Sequence, residues 1–291
     1  MIGSAILSPL IPHFSALAPA YDVLLCDVWG VVHNGEVSFP AACDALMQAR
    51  ERGTTVVFIT NAPRPGESVM RQLDGLKVPR EVCDAIVSSG DVTRHVIATR
   101  KGQSLCHLGP ERDHAIFIGL DVAFAPLESA DYVICSGLDD DDNQTPEDFR
   151  ARLELMRQRN LFMVCANPDL VVERGARLVY CAGSVAELYE SMGGEVLYAG
   201  KPYRPVYDLA VQKAQAASGR KADMARILAI GDSIRTDLAG ARAFGVDMLF
   251  MTAGIHAEEL GGRAEPDPAL LKSVFEASGA QPTAIMRELV W

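Results

Sequence analysis

The feature that most constrains the fold of this chain is a repeated alternation of short apolar runs with helical stretches. Strands are predicted over residues 23–26, 55–59 and 85–87, and the continuous run at 55–59 is typical of a strand buried on both faces. Helices are predicted between them over 38–52 and 66–76, with Gly53 placed to end the first. This order predicts a parallel, doubly wound α/β sheet.

The pattern is interrupted and later resumes, which predicts a second α/β unit inserted into the first. In the insert, strands are expected over 104–108, 132–136 and 162–166, with a helix over 146–159 that has Thr145 as its N-cap. The first pattern returns near Leu197 with a helix over 201–218, a strand over 226–230, a helix over 236–244 and a strand over 247–251. We therefore assign residues 1–88 and 185–291 to a core domain and residues 89–184 to an inserted domain.

Composition indicates a globular protein that binds neither nucleic acid nor a membrane. The 291 residues are 49% hydrophobic and 22% charged, which suits a sizeable core. The net charge of −11 and the lack of a basic run argue against a nucleic-acid partner. No apolar run approaches the ~18 residues of a membrane helix. A signal peptide has a basic residue near its start, whereas no Lys or Arg precedes Arg50 in this chain. We therefore expect a cytoplasmic protein.

Two further groups of residues have a structural and a functional interpretation. The seven cysteines include no C-x-x-C pair and mostly lie in apolar runs, which predicts buried thiols in a reducing compartment. Disulfides or a zinc cluster are the alternative. The acidic run Asp139–Asp142 is interpreted as a solvated loop ahead of a helix N-terminus, which favours negative charge, with a metal or substrate site as the alternative.

Polar side chains follow three predicted strands of the core. Asp27 follows the first strand, Thr60 and Asn61 follow the second, and Asp232 follows the strand near 230. Parallel strands bring these residues to one edge, where α/β sheets bind ligands. Asp237 adds a third carboxylate at the start of the next helix. Carboxylates so close repel one another, and a hard divalent cation such as Mg²⁺ offsets that repulsion.

A positive charge and neutral donors are expected at the same edge. A phosphate placed there would meet Mg²⁺, Lys201, and the hydroxyl, amide or backbone donors of Thr60 and Asn61, a set that stabilises phosphoryl transfer. Asp27 could then act as the nucleophile and form an aspartyl-phosphate. Taken singly, each residue could instead be a turn, cap or surface residue. Their joint order and spacing favour the phosphate site.

Four motifs resemble those of the haloacid dehalogenase (HAD) superfamily: Asp27-Val28-Trp29-Gly30-Val31, Phe58-Ile59-Thr60-Asn61, Gly200-Lys201-Pro202 and Gly231-Asp232-Ser233-Ile234-Arg235-Thr236-Asp237. The long insert and Ala166-Asn167-Pro168-Asp169 resemble its class IIA, NagD-type group. The resemblance implies a Rossmann-like core with an inserted α/β cap of the C2 type. It also implies Mg²⁺ held by Asp27, the backbone carbonyl of Trp29, Asp232 and Asp237.

The resemblance further implies a phosphatase or phosphotransferase for a small phosphorylated metabolite, such as a sugar phosphate, a nucleotide or pyridoxal phosphate. Thr60, Asn61 and Lys201 would bind the phosphate, and Lys201 would also hold the nucleophile. Arg64 could reach a substrate anion or the cap, and a solvated role is the alternative. The cap would shield the site and set specificity. Assembly as a homodimer through the cap stays open.

The chain departs from the family pattern at Trp29, where family phosphatases place a second Asp as acid and base. Indole only donates its N–H, and positioned acid–base help contributes about 10²–10⁴-fold in rate. One alternative is therefore a phosphometabolite-binding or regulatory protein with little turnover. A dehalogenase is a weaker alternative, because the pair Asp232 and Asp237 indicates a retained cation. His33 could supply the missing proton, or it is a loop residue.

Overall fold

The computed structural model describes residues 8–174, 177–263 and 265–291. The chain forms two compact units. The first unit comprises the described parts of Met1–Ile59, Leu73–Ile86 and Ala210–Trp291, and the second comprises those of Thr60–Gln72 and Val87–Leu209. In this division residues 60–72, 87–88 and 185–209 belong to the second unit, whereas the sequence analysis assigned them to the core domain.

The secondary structure is α/β, as predicted. In chain order the strands are β1 (Val23–Cys26), β2 (Thr55–Thr60), β3 (Ala85–Ser88), β4 (Ser104–Leu108), β5 (Ala123–Phe124), β6 (Tyr132–Cys135), β7 (Phe162–Cys165), β8 (Val171–Arg174), β9 (Arg177–Tyr180), β10 (Glu195–Tyr198), β11 (Ile227–Gly231), β12 (Asp247–Met251) and β13 (Ala284–Met286). The α-helices are α1 (Pro40–Glu51), α2 (Gly66–Gly75), α3 (Ser89–Thr99), α4 (Arg150–Gln158), α5 (Ala182–Ser191), α6 (Arg204–Ser218), α7 (Ala239–Phe244) and α8 (Pro268–Ser278).

The main sheet of the first unit has the strand order β13-β12-β11-β1-β2-β3. Strand β1 lies between β11 and β2 and is parallel to both, so that Cys26 pairs with Ile230 on one side and with Phe58 on the other. All residues of β1, β2 and β11 are buried, which agrees with their continuous apolar sequences. The residue that follows each of these strands is therefore attached to a strand that is buried along its whole length.

The helix predicted over 236–244 begins earlier and in a different geometry. A π-helical turn covers Ile234–Leu238 and continues into α7, which ends at Gly245 in the left-handed conformation (φ 83°). Ser233 is the N-cap, because its Oγ accepts the N–H of Thr236 at 3.3 Å. Asp237 lies in the first turn of this helix.

The second unit has its own parallel sheet, with the order β10-β7-β6-β4-β5, and an antiparallel hairpin of β8 and β9. Because β10 pairs with β7, the chain leaves this sheet only after Tyr198. The helix predicted over 146–159 starts as a 3₁₀ turn at Pro146–Phe149, and Thr145 forms a capping box with Asp148, which confirms the predicted cap. Helix α6 starts at Arg204 and not at Lys201, since the N–H of Tyr203 donates to the Gly200 carbonyl in a turn.

The cysteines are free thiols, as predicted. Cys26, Cys43, Cys135, Cys165 and Cys181 are buried, and Cys83 and Cys106 are partly buried. Burial raises the pKa of Cys83 and that of Cys135 to about 12, so both are protonated at neutral pH. Within the described ranges, every helix is too short or too polar to pass through a bilayer.

Candidate active site

Three buried carboxylates meet at one edge of the sheet of the first unit. Asp27, Asp232 and Asp237 each offer an oxygen within 4.8 Å of the others, and each residue is at most 6% exposed. Asp27 follows β1, and its N–H donates to the Ile230 carbonyl at 2.7 Å, which extends the pairing with β11. Asp232 follows β11 directly. We call this cluster the acidic triad; the sequence analysis predicted that these three residues converge.

Backbone groups and glycines hold the triad in place. The N–H of Ile255 donates to Asp232 Oδ2 at 2.8 Å. A Cβ at Gly30 or at Gly254 would lie 2.0 or 1.9 Å from the same oxygen, so only a residue without a side chain fits there. The sequence analysis named Gly30 only as a member of the first motif and did not name Gly254. Their positions, three residues after Asp27 and three residues after the end of β12, are the signal that could have identified them.

Asp237 is positioned in the same way by its own turn. The N–H of Ser233 donates to Asp237 Oδ2 at 3.1 Å, and a Cβ at Gly231 would lie 2.2 Å from Asp237 Cγ. Two ionised carboxylates 4.8 Å apart repel by roughly 3–4 kcal/mol at an effective dielectric constant of about 20. The donor set consists of oxygen atoms, which suits a hard cation such as Mg²⁺ better than a thiol-seeking metal. The residues of the triad therefore fit the metal that the sequence analysis predicted.

The loop after Asp27 contains Trp29 and His33, packed edge to face with ring centroids 5.0 Å apart. Trp29 Nε1 is buried and has no hydrogen-bond partner among the described residues. The backbone on either side of the Trp29 carbonyl is fixed, since the His33 N–H donates to the Val28 carbonyl and the Gly30 N–H to the His33 carbonyl. The carbonyl that the family resemblance assigns to the metal thus belongs to a hydrogen-bonded turn.

His33 is 2% exposed and is a neutral member of this loop. Its Nδ1 accepts the N–H of Gly35 at 2.8 Å, which places the ring proton on Nε2. Burial lowers the pKa of His33 to about 4, so the ring is not an imidazolium at neutral pH. His33 therefore cannot offer the readily released proton that one interpretation of the sequence gave it.

In the second unit, Asn61 connects two of the predicted phosphate-binding motifs. Its Oδ1 accepts the N–H of Lys201 at 2.7 Å, and its Nδ2 donates to the Lys201 carbonyl at 3.1 Å and to Asp169 Oδ1 at 2.9 Å. Both amide hydrogens are thus used within the protein. The amide holds the backbone of Lys201 and does not supply the phosphate donor expected from the sequence; a backbone N–H of this loop can still do so.

Thr60 and Lys201 are buried like Asn61, at 7% and 2% exposure. Thr60 Oγ1 accepts the N–H of Ala62 at 3.3 Å, so its hydroxyl hydrogen is oriented away from this bond. Gly200 permits the close approach of the two motifs, because a Cβ there would lie 2.3 Å from Asn61 Oδ1. The partner that the sequence analysis missed here is Asp169, although it noted the Asn167-Pro168-Asp169 sequence.

Arg64 is directed to groups of the second unit. Its Nη2 donates to Gln72 Oε1 at 2.8 Å, and its Nε is buried without a partner in the described part of the chain. Burial lowers the pKa of Arg64, and the charge of Asp113 opposes that effect. Burial in turn raises the pKa of Asp113 to about 6, while Arg112 and Ser136 oppose the rise. The burial of Arg64 argues against the solvated role, and its role toward a substrate anion or the cap stays a prediction.

The acidic run of the second unit is paired with arginines. Asp141 forms ion pairs with Arg112 and Arg174, both at 2.5 Å, and Asp142 forms one with Arg177 at 3.2 Å. Oxygens of Asp140, Asp141 and Asp142 lie within 4.8 Å of one another, but these arginine partners already balance their charge. The contacts favour the interpretation of the run as a loop and not as a metal site.

Two stretches of the chain match known protein families. A model of haloacid dehalogenase-like hydrolases matches residues 24–123, and a second model, described as HAD-hydrolase-like, matches residues 198–277. A crystal structure of a haloacid dehalogenase-like hydrolase from Brucella suis 1330 is 44% identical, covers 97% of this chain and 100% of its own, and has a TM-score of 0.86. The chain belongs to the haloacid dehalogenase-like hydrolase family.

Curated relatives of this HAD-family hydrolase are more distant. 5'-Nucleotidase YutF of Bacillus subtilis is 24% identical over 241 residues, covering 82% of this chain and 90% of that protein. Glycerol-3-phosphate phosphatase of Gallus gallus is 26% identical over 272 residues, covering 84% of each. The predicted family is confirmed, as is its NagD-type class IIA group, and the protein is a hydrolase.

Proposed function

We propose that this HAD-family hydrolase is a Mg²⁺-dependent phosphatase that acts on small phosphate monoesters. The observation that carries the proposal is the buried acidic triad, with one carboxylate at the end of the central strand β1 and two around the start of α7. The named activities of the relatives support it, since one is a nucleotidase and the other a glycerol-3-phosphate phosphatase. The proposed substrates are sugar phosphates, nucleotides and pyridoxal phosphate.

Asp27 is the nucleophile in this proposal. Its carboxylate attacks phosphorus, the ester P–O bond breaks, and the leaving oxygen departs as an alkoxide or phenoxide that takes a proton from water, while an aspartyl-phosphate forms. Water then attacks the phosphorus and breaks the bond between phosphorus and the Asp27 oxygen, which restores the carboxylate and releases phosphate. The proton that this water loses balances the one taken up by the leaving oxygen. Lys201 and Thr60 bind phosphoryl oxygens, and Asn61 keeps the Lys201 backbone in place. Asp27, Asp232, Asp237 and the Trp29 carbonyl are the proposed ligands of Mg²⁺, which when bound would neutralise charge on the phosphoryl group.

A panel of phosphate esters assayed with and without Mg²⁺ tests this proposal. We expect wild-type release of phosphate that requires the metal, and a loss of at least 10³-fold in Asp27→Asn, which removes the nucleophile. Calorimetric titration with Mg²⁺ gives a readout that does not depend on turnover. Unchanged phosphatase activity in Asp27→Asn, or no binding of Mg²⁺ to the wild type, would overturn the proposal.

A second candidate is a phosphometabolite-binding protein with little turnover. It is favoured by Trp29, whose buried Nε1 can only donate, and by His33, which is neutral. Neither group is suited to protonate a leaving alkoxide, and the lone-pair nitrogen of His33, Nδ1, already accepts the Gly35 N–H and so is not available to activate water. The variant Trp29→Asp separates the two functions: a large gain over a nearly silent parent supports binding without turnover, whereas robust wild-type turnover refutes it.

A further inference from the structure

A chain of hydrogen bonds in the second unit connects the loop after β7 to Lys201. Asn167 Oδ1 accepts the N–H of Asp169 at 3.1 Å and so forms a tight turn around Pro168. Asp169 Oδ1 accepts from Asn61 Nδ2 at 2.9 Å, and the amide of Asn61 bonds both the N–H and the carbonyl of Lys201. We call this series the Asp169 relay.

The start of α5 fixes the turn from the other side. The N–H of Gly183 donates to the Asp169 carbonyl at 3.1 Å. A Cβ at Gly183 would lie 2.3 Å from the Pro168 carbonyl oxygen and 2.5 Å from that of Asp169, so the helix backbone packs directly on the turn. The backbone of Asp169 is therefore held independently of its carboxylate.

We propose that Asp169 is a positioning residue for Lys201 and acts through the amide of Asn61. A carboxylate only accepts hydrogen bonds, so it selects the orientation in which Asn61 Nδ2 faces Asp169. In that orientation Oδ1 faces the Lys201 N–H and Nδ2 faces the Lys201 carbonyl. The flipped amide would place two N–H donors against each other at Lys201. Asp169 thereby sets the position of the Lys201 backbone, although it lies 32 residues before it in the sequence.

This inference rests on the proposed phosphate-binding role of Lys201. Asn61 and Lys201 are 3% and 2% exposed, so water cannot readily replace a lost bond. A displacement of about 1 Å at a group that binds the reacting phosphate can lower the rate about 10²-fold. The carboxylate itself need not touch the substrate, which distinguishes a positioning residue from a catalytic one.

Two substitutions of Asp169 separate positioning from a requirement for its charge. Asp169→Ala removes the acceptor, and we expect kcat on p-nitrophenyl phosphate to fall about 10- to 100-fold with a smaller change in KM. Asp169→Asn keeps an acceptor oxygen, and we expect it to stay within about threefold of the wild type. If Asp169→Asn is as slow as Asp169→Ala, the charge itself is required and the positioning role is refuted.

Asp148→Ala is the matched control, because Asp148 lies in the same unit and accepts the Thr145 N–H at 2.7 Å in a helix cap. It should lower stability while leaving kcat unchanged. A loss of kcat in Asp148→Ala equal to that in Asp169→Ala would show a general effect of destabilisation and would overturn the inference.

Amide hydrogen exchange of Lys201 tests the relay without any turnover. Its N–H is bonded to Asn61 Oδ1 in the wild type, so Asp169→Ala should accelerate its exchange, while Asp169→Asn and Asp148→Ala should not. Unchanged exchange at Lys201 in Asp169→Ala refutes the relay. A wild type inactive on all esters refutes the phosphatase proposal instead, and the exchange result still decides the relay.

Discussion

Replacing Gly30 with alanine tests whether the acidic triad depends on the close approach of this backbone to Asp232. Gly30 has φ +84°, and a Cβ there would lie 2.0 Å from Asp232 Oδ2. An ordinary contact begins near 3.4 Å, so the carboxylate or the loop must move by about 1.4 Å. A shift of the carboxylate would break its 2.8 Å bond from the Ile255 N–H.

The expected cost has two separable parts. A positive φ at a residue with a Cβ costs roughly 1–2 kcal/mol. Leaving the Ile255 N–H without its partner costs about 1–3 kcal/mol if it stays buried. We therefore expect Gly30→Ala to lower the free energy of unfolding by about 2–5 kcal/mol, and the moved carboxylate to weaken Mg²⁺ binding at least tenfold, as loss of ligand orientation does at metal sites.

Two other glycines of the first unit isolate these parts. Gly53 has φ +91° and open space at its Cβ position, so Gly53→Ala measures backbone strain alone. Gly254 is not among the residues with positive φ, yet its Cβ would lie 1.9 Å from Asp232 Oδ2, so Gly254→Ala measures the displacement alone. We expect Gly53→Ala to cost about 1–2 kcal/mol without changing the affinity for Mg²⁺.

Denaturant unfolding of the three variants, combined with calorimetric Mg²⁺ titration, gives both quantities. If Gly30→Ala matches Gly53→Ala in unfolding free energy to within about 0.5 kcal/mol and binds Mg²⁺ like the wild type, the tight packing of Gly30 on Asp232 does not constrain the triad. The reasoning from the Cβ contact is then refuted.

Two further predictions concern the triad and Asp113. Saturating Mg²⁺, at about 100 times its dissociation constant, should stabilise the wild type by about 2.7 kcal/mol in thermal unfolding, and Asp232→Asn should abolish this gain; an equal gain in both would contradict binding at the triad. The folded-state pKa of Asp113 is raised from 3.8 to about 6, so the folded protein keeps a proton that the unfolded chain loses between these values. Stability should therefore fall on the order of 3 kcal/mol as pH rises through this window, and urea unfolding of Asp113→Asn should lack that loss.

Eight strands of the two larger sheets (β1–β4, β6, β7, β11 and β12) could be predicted, because they are mostly apolar and end at polar or turn-forming residues. The short strands β5 and β13 were not predicted. The sheet to which each strand belongs could not be predicted. Glu195–Tyr198 has the sequence of a strand, but its partner is Phe162–Cys165 in the second unit. Its place is decided by that pairing, which a local pattern does not contain. The late start of α6 has a local cause, the Gly200–Tyr203 turn, which competes with a helix start at Lys201.

In the candidate site, too, the sequence indicates which residue types are present but not which partners they bond. An acid after each of two adjacent parallel strands predicts convergence from topology alone, and Asp27 and Asp232 do converge. The use of the Asn61 amide could not be predicted, because its partners are Asp169, 108 residues away, and Lys201, 140 residues away. A motif specifies that an amide is present, whereas its bonding depends on which distant groups the fold brings within 3 Å.

We expect Trp29 to affect which phosphate esters the protein hydrolyses fastest. A phenol leaves readily as its anion, whereas an ordinary alcohol needs a proton as its P–O bond breaks. Neither the indole of Trp29 nor the neutral imidazole of His33 supplies that proton well. We expect wild-type turnover to favour p-nitrophenyl phosphate over an alkyl phosphate by much of the 10²–10⁴-fold that acid catalysis contributes. Trp29→Asp should raise the alkyl rate selectively. Equal wild-type rates on both esters would show that another group protonates the leaving oxygen, and the argument from Trp29 would fail.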